Sequence, residues 1–402
     1  MRPVLEVADV FRLHGAEYRQ AHSDHLGGTQ RRVMAAIEAC RTATLGGHAE
    51  QCTDCGFVRY AYDSCRDRHC PKCQGLARAE WLEARQADLL PVPYFHVVFT
   101  VPAQVADIAF YNKEAVYGVL FRASADALRN VAADQRYLGA EVGAIAVLHT
   151  WGQALSHHPH IHYIVPGGGI SPDRTRWIPC LPGFFLPVRV LSRRFRDLFV
   201  QQLRTAFANG ELRFPGALAE QADPTAFAVR LDKLAEIDWV VYSKPPFGGP
   251  EQVLAYLGRY THRVAIAIAN SRLVGLEDGQ VSFIWKDYRH DGKTKVMTLE
   301  AAEFIRRFLQ HTVPDGFHRI RHIGFLANRY RAEKLALCRQ LLAVPPPPTS
   351  LNDPTPQRWQ DRLRELTGQD VEVCPCCGGR MVTRDILKPQ PQPRPRMWCD
   401  SS

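Results

Sequence analysis

Two hydrophobic periods divide the chain. Residues 94–101, 143–150 and 160–165 are short β-branched and aromatic runs, and each predicts a strand. The last two are expected to pair antiparallel, joined through residues 152–159. Elsewhere apolar positions recur at about 3.6 residues, the helical period. Helices are therefore expected over residues 1–39 with a break at Gly27-Gly28, then over 76–89, 103–137, 191–209, 223–236, 300–310 and 327–342. Short strands are expected at 239–242 and 264–269, and turns at 277–279 and 290–292 mark a meander. Gly167-Gly168-Gly169 reads as a turn and not a phosphate loop, because no Gly-Lys-Ser/Thr follows. The pattern adds up to an α+β fold, a central antiparallel sheet flanked by helices.

Composition narrows the class. The chain has 402 residues and 46% hydrophobic content, enough for two or three domains with a full core. It contains no run of eighteen apolar residues, so no membrane span is expected. Met1 to Glu6 lacks the apolar core of a signal peptide, so a cytoplasmic protein is expected. A net charge of +9 suits a polyanionic partner. Arg193, Arg194 and Arg196 cluster. Arg306, Arg307, Arg319, Arg321, Arg329, Arg331 and Lys334 crowd a stretch interleaved with Phe304, Phe308, Phe317, Phe325 and Tyr330. Such a mixture can neutralise phosphates and stack on unpaired bases. It also describes an amphipathic helix pair with a solvated basic face.

Twelve cysteines in a chain without a secretion signal point to metal rather than disulfides. Cys52-x2-Cys55 and Cys70-x2-Cys73 have the spacing of a closed, structural zinc site of four thiolates. Cys40, His48, Cys65 and His69 interleave with them as a second set. In chain order the pairs 40/48, 52/55, 65/69 and 70/73 suggest cross-bracing of two ions, alternate pairs sharing each one. Beyond a proline-rich linker at residues 345–356, Cys374-Pro-Cys-Cys377-Gly-Gly is half of a zinc knuckle, with Cys338 and Cys399 as candidate partners. Residues 388–398 are proline-rich and expected to be disordered. The organisation expected is a helical and zinc-binding module at 1–90, a catalytic domain at 91–342, and a linker with a small cysteine tail at 343–402.

The chemistry is expected at His160-Ile-His162. Alternate residues of a strand share a face, so two neutral imidazoles there make half of a divalent-metal site. Downstream, Tyr256-Leu-Gly-Arg-Tyr260 puts two phenols one turn apart on a helix that Pro250 can start. A phenol is a poor nucleophile and a phosphodiester a poor electrophile. A bound Mg²⁺ or Mn²⁺ helps by stabilising charge on a non-bridging oxygen. Tyrosine attack keeps the 5′ side as phosphotyrosine and releases a 3′-hydroxyl, conserving bond energy for rejoining. A second tyrosine can hold a second strand end.

On these strings the chain resembles the HUH endonucleases, and more closely the two-tyrosine rolling-circle transposases of bacterial insertion sequences. The strings are Phe95-His-Val-Val-Phe-Thr-Val-Pro102, His149-Thr-Trp-Gly-Gln-Ala-Leu-Ser-His-His-Pro-His-Ile-His162, Val165-Pro-Gly-Gly-Gly169, Tyr256-Leu-Gly-Arg-Tyr-Thr-His-Arg-Val-Ala-Ile266 and Gly316-Phe-His-Arg-Ile-Arg-His322. The resemblance spans about residues 10–335 and includes the cysteine-rich head. It implies His160 and His162 as metal ligands and Tyr256 and Tyr260 as nucleophiles. It also implies a zinc module that helps recognise the element's ends. Such sites usually take a third ligand; Gln153, seven residues before His160, is the first candidate, with His149 and His158 as rivals. The implied partners are single-stranded DNA at transposon ends and target DNA, and an oligomer is compatible. The alternatives are a plasmid rolling-circle replication initiator and a zinc-dependent DNA-binding regulator without catalysis. A metallohydrolase is weak, since HExxH is missing. No convincing Asp/Asp/Glu set supports an acidic-triad transposase.

Overall fold

The computed structural model describes residues 5–86, 88–244, 252, 270–287, 290–345, 358–368 and 370–390. Tyr256 and Tyr260, the helix expected to carry them, the strand expected at 264–269 and Cys399 lie outside the described residues. So does nearly all of the proline-rich linker.

The centre of the molecule is an antiparallel sheet of five strands. They are β3 (Tyr94–Thr100), β4 (Gly143–Trp151), β5 (His157–Pro166), β8 (Val240–Lys244) and β12 (Ile320–Gly324), in the order β12-β4-β5-β3-β8. Strand alternation gives it two unlike faces. Phe95, Val97 and Phe99 of β3, Ala144, Ala146 and Leu148 of β4, and Ile161, Tyr163 and Val165 of β5 are buried in the largest core. That core is completed by helices α5 (Lys113–Ala133), α6 (Val188–Ala208) and α7 (Pro224–Glu236), through Tyr117, Leu120, Phe195, Phe199 and Phe227 among others. A polar link crosses it: Tyr163 and Ser124 hydroxyls lie 2.8 Å apart, and Ser124 donates to the Leu120 carbonyl. The opposite face is apolar at one end. There Ile145, Val147 and Ile164 pack with Leu335 and Cys338 of helix α9 (Arg331–Leu341) and with Trp81 and Leu82 of α3 (Gly75–Gln86). The other end of that face carries histidines.

The remaining elements form a second core. Helices α1 (Val7–Ala21) and α2 (Gly28–Ala39) are separated at the Gly27-Gly28 break. They meet helix α8 (Ala301–Gln310) and a three-stranded meander of β9 (Leu273–Glu277), β10 (Gln280–Asp287) and β11 (Lys293–Glu300). The turn at Asp278-Gly279 has φ +48° and +73°, and that at Asp291-Gly292 has +53° and +69°. The first is a two-residue hairpin turn whose twist matches the strands. Of the aromatic residues in the stretch expected to stack on bases, Phe304 and Phe308 of α8 and Phe317 and Phe325 are buried, while Tyr330 is exposed with Arg329 over its ring. Arg306 and Arg307 pair with Glu303, Lys334 pairs with Glu141, and Arg321 lies over the Phe121 ring. Phe304 and Phe308, four residues apart, lie on the face of α8 turned to the core.

Three local expectations shift. Residues 103–137 divide into α4 (Ala106–Tyr111) and α5, the helix expected at 327–342 starts at Arg331, and the Gly167–Gly169 segment contributes to strand β6 (Gly168–Ile170), paired with β7 (Trp177–Pro179). A Cβ at Gly168 would meet the Trp177 ring at 2.4 Å, so bare backbone is needed for that close approach. Near the N-terminus, β1 (Gly47–Cys52) and β2 (Val58–Tyr62) form a hairpin, and β13 (Met381–Leu387) from the far end of the chain adds to β1. Helix α10 (Trp359–Thr367) rests on α3 through an Arg362–Glu83 ion pair. No helix among the described residues is long and apolar enough to cross a membrane.

Candidate functional site

Pairing register brings the histidines together. His149 of β4 lies directly opposite His160 of β5, and Thr100 of β3 flanks His160 on the other side. His162 follows two residues on, on the same face. A ring nitrogen from each of His149, His160 and His162 lies within 4.8 Å of the others. Their ring centroids are 4.1–5.3 Å apart. Trp151 stacks on His149 at 4.7 Å and walls one side of the group.

Hydrogen bonds set how these rings present themselves. His160 Nδ1 is 2.7 Å from the His158 carbonyl oxygen, which can only accept. Nδ1 therefore carries the proton, and Nε2 keeps its lone pair. His162 Nδ1 is 2.7 Å from His96 Nε2, and the two rings are stacked 8° from parallel. Burial pushes His160 and His96 down to about 4, and drives His149 and His162 well below the ordinary imidazole value. All four are neutral bases at pH 7, the form that ligates a cation. Three clustered nitrogen donors fit a divalent transition ion.

Gln153 was the sequence's first candidate for third ligand. It sits in the turn after β4, because that strand ends at Trp151 beyond an irregularity in its pairing with β5. Its Oε1 accepts from Arg272 Nη2 at 3.1 Å. His149, the rival on the strand itself, is the residue beside the pair; His158 contributes its carbonyl instead. His96 was not singled out from sequence, although its string was. The signal was there: in the run Tyr94 to Thr100, His96 falls on the face opposite the buried Phe95, Val97 and Phe99. Lys244, the last residue of β8, is the register partner of His96, and Tyr242 that of Val98. Tyr256 and Tyr260 follow in sequence and lie outside the described residues.

The cysteines assemble into two groups of four that differ from the expected ones. Cys40, Cys65, Cys70 and Cys73 form one, with all four sulfurs within 4.8 Å. Cys52 and Cys55 join Cys374 and Cys377 in the other. The expected set Cys52, Cys55, Cys70 and Cys73 is thus divided, because β13 carries the tail knuckle to β1 while Cys70-Cys73 folds back on the end of α2, where Cys40 is the cap. His48 and His69 are not in either group. His48 Nε2 faces Glu50 at 3.2 Å, and His69 is held between Asp67 and the Val313 amide, which donates to its Nε2. In the first group hydrogen bonds from Cys65, Cys70 and Cys73 hold the Cys40 sulfur toward the thiolate. A closed set of four soft donors fits a structural tetrahedral Zn²⁺. The described cysteines are all free thiols.

Comparison with known proteins agrees with this geometry. Residues 143–334, which begin at β4 and contain the histidine group, match the family described as "Putative transposase". Residues 10–101 match a transposase zinc-binding domain. The chain is 58% identical over 397 residues to a putative transposase of Sinorhizobium fredii, covering 98% of each chain. It is 29% identical over 354 residues to the transposase for insertion sequence element IS801 of Pseudomonas savastanoi pv. phaseolicola, covering 87% of this chain and 82% of that one. No solved structure matches. A sheet that gathers three imidazoles, a cysteine-rich head and near-complete coverage of a transposase relative agree on one assignment: the chain belongs to this transposase family, the one with the transposase zinc-binding domain.

Proposed function

We propose that the protein nicks and rejoins single-stranded DNA through a 5′-phosphotyrosine during rolling-circle transposition of an insertion sequence. The observation that carries the reading is the group of three neutral imidazoles on one face of an antiparallel sheet. His149, His160 and His162 hold a divalent cation, and His96 orients His162. When bound, that cation supplies charge stabilisation at a non-bridging phosphate oxygen. Mn²⁺ suits nitrogen donors better than the harder, oxygen-seeking Mg²⁺.

The oxygen of Tyr256 or Tyr260 attacks phosphorus. A phosphorus–oxygen bond to tyrosine forms as the bond to the 3′ oxygen breaks, and the phenol's proton ends on the released 3′-hydroxyl or on solvent. Reversal by another 3′-hydroxyl rejoins a strand without ATP, because the phosphodiester's energy is retained in the link. The sheet supports this placement: the chain leaves β8 at Lys244, the register partner of His96, and runs from there to the tyrosines.

The test uses a labelled oligonucleotide carrying an element end. Wild-type protein with Mn²⁺ should give a covalent adduct on a denaturing gel, and Tyr256→Phe with Tyr260→Phe should bind DNA without forming one. An adduct of equal yield in the double variant defeats the reading.

A further inference from the structure

We propose that Cys52, Cys55, Cys374 and Cys377 bind a second structural zinc ion, which clasps the tail of the chain to its cysteine-rich head. Cys55 and Cys374 are separated by 319 positions, yet their sulfurs lie 3.7 Å apart, and those of Cys52 and Cys377 lie 3.5 Å apart. A tetrahedron of sulfurs about 2.3 Å from a central Zn²⁺ has edges of about 3.8 Å. A disulfide needs about 2.05 Å. The spacing is that of four thiolates around one cation.

The backbone gives an independent reason. Head and tail fold into the same turn. In the head, Cys52 N–H donates to the Phe57 carbonyl at 2.8 Å and Gly56 N–H to the Cys52 carbonyl at 3.2 Å. In the tail, Cys374 N–H donates to the Gly379 carbonyl at 2.8 Å and Gly378 N–H to the Cys374 carbonyl at 3.0 Å. Gly56 and Gly378 occupy the same left-handed position, at φ +71° and +76°. In each turn an amide two residues on approaches the first sulfur at 3.4 Å, from Asp54 in the head and Cys376 in the tail. Gly379 N–H adds another to Cys377 at 3.4 Å. Amides aimed at sulfur stabilise thiolate charge. Two copies of one thiolate-presenting turn face each other.

Packing explains why an ion is needed. Apart from the tail, β1 and β2 are a lone two-stranded hairpin, which is marginal in water. The apolar contact under the joint is small: Cys52, Cys374 and Met381, with Phe57 against them. Binding energy at a thiolate site becomes folding energy for whatever the site joins. Cys376 is exposed and outside the group, and Cys338 is buried in the α9 core. The zinc-binding family match ends at residue 101, so it reaches only half of this site.

The experiment uses the full chain, in every case with His149→Ala so that the imidazole group takes up no zinc, purified with zinc and dialysed against metal-free buffer. Zinc is measured by mass spectrometry, and the tail's accessibility by limited proteolysis. The parent, with no further substitution, should hold two ions per chain. Cys374→Ser with Cys377→Ser should hold one, and cleavage between head and tail should accelerate at least tenfold. The ion that remains reports that the head is folded. Cys376→Ser should keep two ions and the parent's cleavage rate. Cys40→Ser with Cys65→Ser should keep one ion and a protected tail. One ion in the parent, two in the Cys374/Cys377 variant, none in that variant, or an unchanged cleavage rate overturns the proposal.

Discussion

His96→Leu isolates the part that the sheet plays in the metal site. The substitution removes the ring whose Nε2 lies 2.7 Å from His162 Nδ1 and leaves a side chain of similar bulk on β3. For His162 to offer Nε2 to a cation, its Nδ1–H must donate to His96. Leaving that buried donor without its acceptor costs about 1–3 kcal/mol. At about 1.4 kcal/mol per factor of ten, Mn²⁺ affinity should fall about 5- to 140-fold. Second-sphere partners of ligating histidines elsewhere have effects of about 10–100-fold. The assay is a titration of oligonucleotide nicking against Mn²⁺, with free Mn²⁺ read by electron paramagnetic resonance. Half-saturation should move by that factor, while the rate at saturating Mn²⁺ stays within about twofold. His96→Gln, which keeps an acceptor oxygen, should recover part of the affinity. A shift under about twofold in His96→Leu, or a lost maximal rate at unchanged Mn²⁺ affinity, refutes the positioning role.

Other consequences are equally direct. Substituting His149 by Ala should abolish Mn²⁺-stimulated nicking while both zinc ions remain, whereas Gln153→Ala should leave Mn²⁺ affinity within about threefold; metal analysis beside the nicking assay separates them. Phe308 is fully buried and meets the Phe11 ring edge-on at 5.3 Å. Its replacement by Ala should cost about 3–5 kcal/mol in denaturant unfolding. His311, between the Thr150 hydroxyl and the Leu155 carbonyl, is held down to about 3 by burial. Its folded value is below the unfolded one of about 6.5, so the unfolded chain binds the extra proton between these values. Stability should therefore fall as pH drops from about 6.5 toward 3, and His311→Gln should make that part of a melting-temperature profile shallower, the other buried imidazoles keeping the rest of the slope. A Cβ at Gly324, where φ is +58°, would lie 1.7 Å from the Val142 carbonyl oxygen. Gly324→Ala should accordingly lower the yield of soluble protein.

The sheet was legible because its strands announce themselves. The alternation in Tyr94 to Thr100 and in His160 to Val165 fixes both the buried face and the histidine face, and it puts His160 and His162 side by side. What the chain's order could not give is which strand lies opposite. His149 becomes the third imidazole only because β4 pairs with β5 in a register that sets it across from His160. Gln153, at an attractive spacing, is carried past the strand's end. Cysteine spacing misled for a similar reason: neighbours in sequence pair as knuckles, but the second half of each site is chosen by tertiary contacts. Cys70-Cys73 meets Cys40, and Cys52-Cys55 meets residues from the far end of the chain. The basic and aromatic stretch at 304–330 reads alike for a stacking platform and for packing, and burial assigns Phe304, Phe308, Phe317 and Phe325 to packing while Tyr330 stays exposed.

The most direct measurement is mass spectrometry of the peptide left on the protein after reaction with a suicide single-stranded substrate in Mn²⁺. The account predicts a nucleotide linked through its 5′-phosphate to Tyr256 or Tyr260, lost when His160 and His162 are replaced by Ala. A link to any other residue, or one formed equally well without those imidazoles, contradicts it.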